Sequence, residues 1–189
     1  MYLFFDTETA GLPRNWKLSH LQYDNWPRLV QIAWIQYDEQ GNEIDSQDFI
    51  IKPVGFKIPE RTALIHGIST ARALREGVDL IPVLERFNQK ISESEHLLAH
   101  NMSFDERVMG AEYVRNNIST NLFDKNRICT MKSTTTFCQI PGSFGYKWPT
   151  LAELHYAVFE RDFTNAHNAK ADIEATANCY WELKRRGFF

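Results

Sequence analysis

The sequence predicts an α/β domain: a mixed sheet whose first three strands run antiparallel, flanked by helices. Three observations carry this. An apolar run, Tyr2-Leu3-Phe4-Phe5, opens the chain as a strand covered on both faces. Two further strand-like runs are joined by the polar turn Asp38-Glu39-Gln40-Gly41-Asn42-Glu43, which suits antiparallel neighbours. After them, helical periodicity alternates with short buried runs to the end of the chain. At 189 residues the chain suits one domain, 1–189, large enough to bury a sizeable core without disulfides.

Taken in order, a strand covers Tyr2 to Thr7 and a loop of mixed aromatic and basic character covers Pro13 to Arg28. Strands at Leu29 to Tyr37 and Asp48 to Lys52 follow. Short helices are predicted at Glu60 to Ile65 and Ser69 to Arg75, and a longer one at Asp79 to Ser92. His96 to His100 reads as a buried strand. Ser103-Phe104-Asp105-Glu106 reads as a capping box opening a helix with the apolar stripe Phe104, Val108, Ala111. A short fifth strand is predicted at Arg127 to Thr130 and a helix at Met131 to Cys138, then a Gly/Pro-rich break at Pro141 to Pro149. A second capping box, Thr150-Leu151-Ala152-Glu153, starts another helix. The last helix runs from about Asn168 to Arg185, with Ile173, Ala177 and Tyr180 on its buried side.

Composition narrows the setting. The Met1 start carries no basic segment with an apolar core, and no apolar run approaches the roughly 18 residues of a membrane span. A cytoplasmic protein without membrane contact is therefore expected. Cys129, Cys138 and Cys179 are odd in number and lack metal-ligand or C-x-x-C spacing, so they read as packing residues in a reducing compartment. The net charge of −3 does not exclude a nucleic-acid partner. Divalent cations bound to an acidic cluster would carry the total past neutrality.

The acids supply such a cluster. Asp6 and Glu8 project from one face of the first strand, about 6 to 7 Å apart along the backbone, and two like charges that close need a cation. Asp105 falls in the first turn of the helix after the buried strand, where the helix dipole favours its ionised form. Asp172 lies near the start of the last helix, at the edge of its buried side. One strand and two helix starts thus bring four acids toward one rim of the sheet. Four oxygen donors without matching Cys or His suit Mg²⁺ or Mn²⁺, and two such ions suit displacement at phosphorus.

Three stretches then carry a resemblance. Phe5-Asp6-Thr7-Glu8-Thr9-Ala10-Gly11-Leu12, His100-Asn101-Met102-Ser103-Phe104-Asp105 and His167-Asn168-Ala169-Lys170-Ala171-Asp172 resemble, in this order, the three motifs of the DnaQ-like 3′ to 5′ exonucleases of the DEDD superfamily. Between the first two, Ile58 to Ser69 contains Ile65-His66-Gly67-Ile68, similar to a segment of proofreading epsilon subunits of bacterial DNA polymerase III. The resemblance implies a ribonuclease H-like fold, with Asp6, Glu8, Asp105 and Asp172 binding two Mg²⁺ or Mn²⁺ ions. It also implies His167 as general base, five residues before the last Asp. The branch using tyrosine would place Tyr where Asn168 stands.

For the substrate, the resemblance implies single-stranded or frayed 3′ ends of DNA. Leu12 would be a wedge against the terminal bases and His66 a contact to the terminal nucleotide, while Thr7, Thr9 and Asn101 would add contacts to the 3′ end. Arg14, Trp16, Lys17, Tyr23, Trp26 and Arg28 interleave bases with aromatics, as single-strand platforms do; packing across the fold is the rival reading. RNA exonucleases of the oligoribonuclease or ribonuclease T type share the chemistry, and a non-catalytic nucleic-acid or polymerase-binding adaptor is the alternative of another class. No segment after the last motif matches the polymerase-binding tail of the epsilon subunits, which leaves a polymerase partner open.

Overall fold

The computed structural model of the chain describes residues 1–162 and 168–189. Its sheet is built from β1 (Tyr2–Thr9), β2 (Leu29–Tyr37) and β3 (Glu43–Ile50). The helices α1 (Glu60–His66), α2 (Thr70–Glu76) and α3 (Leu80–Glu93) follow, then β4 (His96–Ala99), α4 (Met102–Arg115) and β5 (Asn126–Cys129). The short helices α5 (Thr130–Ser133) and α6 (Thr135–Cys138) precede a small hairpin, β6 (Pro141–Gly142) and β7 (Gly145–Tyr146). Helices α7 (Leu151–Phe159) and α8 (Ala169–Arg185) end the chain.

The five-stranded sheet has the order β3-β2-β1-β4-β5. β1 to β3 are antiparallel neighbours, whereas β4 joins β1 in parallel, with Phe4 opposite Leu98, and β5 joins β4 in parallel. This is the mixed sheet flanked by helices that the sequence predicts, in the ribonuclease H-like arrangement. Side chains alternate across a strand. Leu3 and Phe5 therefore pack with Val83, Phe87 and Val108 from α3 and α4, while Tyr2 and Phe4 pack with Ala177 and Tyr180 from α8. Phe4 and Phe5 are fully buried, and each contributes about 1.5–3 kcal/mol. That alternation continues into the site.

Some boundaries differ from the sequence reading, each for a physical reason. β1 reaches Thr9 rather than Thr7, because Glu8 still pairs with Gln31 before a register shift at Thr9. β3 lies at 43–50 rather than 48–52. It is the edge strand, and its polar run Glu43 to Asp48 gains its backbone bonds from β2 without burying an apolar face. The helix predicted at 131–138 is two short pieces broken at Thr134, whose hydroxyl bonds back to the Thr130 carbonyl at 2.8 Å.

The capping box predicted at Ser103 does not form, whereas that at Thr150 and Glu153 does. The chain leaves β4 through His100 and turns so sharply that Asn101 caps α4 from the left-handed region, at φ 81°. Asn is among the few side chains that tolerate this conformation. Ser103, now inside the helix, donates to the Asn101 Oδ1 at 3.2 Å. Among the described residues no helix is long and apolar enough to cross a membrane.

Candidate active site

The alternation of β1 sorts the acids. Asp6 and Glu8 continue the face of Phe4, toward α8, and Asp172 stands in the first turn of α8. One carboxylate oxygen from each of the three lies within 4.8 Å of the others, and all three residues are partly buried. Asn168 caps α8 by accepting from the Ala171 N–H at 3.2 Å, which fixes the turn that presents Asp172. Thr7 points to the opposite face, toward α4. Its hydroxyl donates to Asp105 Oδ1 at 2.7 Å and its backbone N–H to the same oxygen at 3.1 Å. Asp105 is buried there, near enough for its charge to act on Asp6 and Glu8.

The four acids act on one another. Burial, followed by the charges of Asp105, Glu8 and Asp172, pushes Asp6 well above the usual carboxylate range. Glu8 is pushed up to about 8 by burial, then by Asp172 and Asp105. Burial raises Asp105 to about 7 against the opposing pull of the two Thr7 bonds. Such a group holds protons near neutrality unless cations replace them. The donor set, all carboxylate oxygens at close range, fits hard divalent cations, with Asp6, Glu8 and Asp172 as the ligands the geometry offers.

Beside the cluster lies a cleft of about 400 Å³ lined by Thr7, Glu8, Thr9, Leu12, His66 and Phe104, with Arg61, Thr62 and Ile65 from α1. Leu12 is 70% exposed at its rim. The Thr9 hydroxyl donates to the Gly11 carbonyl at 2.7 Å and shapes that rim. His66 is buried and its pKa is lowered by burial. Its Nδ1 accepts from the Ile68 N–H at 3.2 Å, which assigns the ring proton to Nε2. Asn101 is not part of the cleft wall; it sits at the head of α4. His167 lies outside the described residues.

The sequence reading missed Phe104 as a wall of the cleft, having placed it only on an apolar stripe. It also missed Arg61, Thr62 and Ile65 of α1, of which Thr62 lies one turn before His66 on the same face. The i, i+4 spacing of Thr62 and His66 was the available signal.

A carboxylate cluster at the rim of a mixed sheet, beside a cleft, is the plan of a nuclease site. The sequence model of the exonuclease family RNase_T matches residues 3–180, and the chain belongs to this exonuclease family. Among curated relatives, the PolC-type DNA polymerase III of Lactococcus lactis is 37% identical over 117 residues, which is 62% of this chain and 6% of that protein. Its counterpart in Streptococcus thermophilus is 33% identical over 119 residues, 63% of this chain and 7% of that one. The chain thus spans a small fraction of the polymerases it matches. Among solved structures, E. coli exonuclease I superposes with a TM-score of 0.78 at 24% identity, covering 99% of this chain and 42% of the other. The same enzyme in complex with a dA16 oligonucleotide gives 0.75 at 23% identity, covering 97% and 40%. These structures share the fold.

Proposed function

We propose that residues 1–189 form one exonuclease domain that removes nucleoside 5′-monophosphates from single-stranded or frayed 3′ ends of DNA by two-metal-ion hydrolysis. The observation that carries this reading is the approach of Asp6, Glu8 and Asp172 within 4.8 Å, with Asp105 bonded to Thr7 and near enough for its charge to act on Asp6 and Glu8. Two Mg²⁺ or Mn²⁺ ions held by these acids would supply an activated water and stabilise the leaving oxygen. The chain's own groups do the rest. Asp6 and Glu8 anchor the site on the sheet, while Asp105 and Asp172 close it from two helix starts, where the helix dipoles favour their ionised forms. His167 takes the proton of the attacking water. Leu12, exposed at the rim, acts as a wedge against the last bases, Thr7, Thr9 and His66 of the cleft wall contact the 3′ end, and Asn101 adds a contact from the head of α4.

DNA is favoured by the Ile65-His66-Gly67-Ile68 segment and by the likeness to PolC-type DNA polymerases and to an exonuclease solved with deoxyoligonucleotides. The polymerase likeness also supports a polymerase as working partner. The test is digestion of matched single-stranded DNA and RNA, each labelled at the 5′ end, in Mg²⁺. A ladder shortening from the 3′ end, faster on DNA and releasing 5′-monophosphates, is expected. Faster digestion of RNA would favour the oligoribonuclease or ribonuclease T type, and no digestion of either would favour a binding adaptor.

A further inference from the structure

Between β1 and β2 the chain makes an arm, residues 13–27, whose backbone is held firmly while its aromatic surface is left bare. Asn15 and Asn25 bond reciprocally at 2.8 and 2.9 Å, and the Trp26 indole donates to the Ser19 carbonyl at 3.0 Å. Arg107 of α4 donates to the Trp16 carbonyl at 2.9 Å, and Arg115 to the carbonyls of Tyr23 and Trp26. Arg115 is itself set by the fully buried Glu112, which also pairs with Arg28 at 2.9 Å. His20 stacks on Phe123 with ring centroids 3.9 Å apart and sits over Gly110, where a Cβ would approach it to 2.9 Å. Helix α4 is notched to receive the arm.

Part of the arm's apolar surface stays open to solvent although Trp16 and Tyr23 also touch α4. Trp16 is 47% exposed, and Leu18, Leu21 and Tyr23 are also exposed. Among the described residues, the side chains of Arg14 and Lys17 have no ion-pair partner. Trp16 packs on Phe104 with ring centroids 5.7 Å apart, and Phe104 is a wall of the cleft beside Glu8 and Leu12. The arm and the cleft are therefore one continuous surface.

We propose that this arm extends the substrate cleft: Trp16, supported by Phe104, stacks a base of the single strand upstream of the scissile bond, and Arg14 and Lys17 neutralise its phosphates. The proposal rests on the exonuclease reading above. Rigid aromatic platforms with bare cations suit a sequence-tolerant single strand, because every base offers a π-face and every linkage a charge. Pre-anchoring of the arm reduces the ordering lost on binding.

The test compares two substrates. The p-nitrophenyl ester of thymidine 5′-monophosphate has no upstream nucleotide, whereas a twelve-nucleotide oligothymidylate reaches the arm. Trp16→Leu, which keeps apolar bulk without a π-face, should lose about tenfold in kcat/KM on the oligonucleotide, mainly through KM. Hydrolysis of the ester should stay at the wild-type rate, and Trp16→Phe should keep most of the oligonucleotide activity. The double variant Arg14→Gln, Lys17→Gln should flatten the salt dependence of KM for the oligonucleotide alone. Equal losses on both substrates, or no loss on the oligonucleotide in any variant, would overturn the arm as a binding surface. A wild-type protein inactive on both would instead remove the exonuclease reading on which it stands.

Discussion

Thr7 shows how one hydroxyl between two acids organises the site. Its two bonds to Asp105 hold a buried carboxyl whose burial alone would drive it further toward the neutral form. Thr7→Val keeps the shape and removes the shorter bond. A hydrogen bond to a charged group contributes about 1.5–3 kcal/mol, so a loss of that order is expected in urea unfolding at pH 8 with Mg²⁺ present. His167 is assigned a different task, accepting a proton in its neutral form. His167→Ala should lose about 10² to 10⁴ in single-turnover rate while keeping DNA affinity in Ca²⁺. The wild-type rate should fall as pH drops through the histidine pKa, and that acid limb should vanish in the variant. Unchanged turnover, or a defect confined to binding, would remove His167 from this role.

Helix α4 carries two duties that its sequence signals only in part. Asp105 was legible as a first-turn acid, because strand-end and helix-start acids follow from spacing. The cap was not, since Ser103-x-x-Glu106 mimics a capping box while the turn from β4 needs a left-handed residue and takes Asn101. The edge strand β3 was shifted in the sequence reading for a similar reason: polar residues on an edge obey the neighbour's pairing rather than an apolar period. Gly110 was silent in the sequence and has a clear role in the fold. A Cβ there would meet Phe123 at 2.7 Å and His20 at 2.9 Å. Gly110→Ala gains about 1 kcal/mol of helix propensity. Overpacking costs about 1–3 kcal/mol, so a net loss of stability is expected. A variant as stable as the wild type in urea would show that the arm yields without cost.

The mixed sheet and the burial of β1 on both faces were readable from the apolar runs and the polar turn, whereas the strand order emerges only in the fold, where strand alternation decides which acid meets which helix. The convergence of Asp6, Glu8 and Asp172 was suggested by their places at a strand end and a helix start and strengthened by the motifs, since residues so far apart in the chain meet by topology. Their mutual repulsion makes metal, pH and stability one linked property. Glu8 rises from its ordinary value of 4.5 to about 8 in the fold. The metal-free folded state therefore holds a proton that the unfolded chain releases, and this group's contribution to stability is lost as pH rises through that window. A bound cation takes the proton's place. The increase in Tm on adding Mg²⁺ should accordingly grow from pH 5.5 to pH 8.5. His100, held down to about 4 by burial, also titrates against the fold as pH falls, but it does so with or without metal and leaves the increment unchanged. An increment independent of pH would mean that the cations bind elsewhere.

The most direct measurement is hydrolysis of a 5′-labelled single-stranded oligonucleotide against Mn²⁺ concentration, with wild type beside Asp6→Asn and the folding of both followed by their Tm. The expected result is no cleavage in EDTA and restoration of wild-type activity by Mn²⁺. Asp6→Asn should lose at least about 10³ in turnover, a fall on the order of 4 kcal/mol in transition-state stabilisation, with Tm unchanged or raised. Cleavage that persists in EDTA, or an Asp6→Asn variant with wild-type turnover, would contradict the carboxylate site.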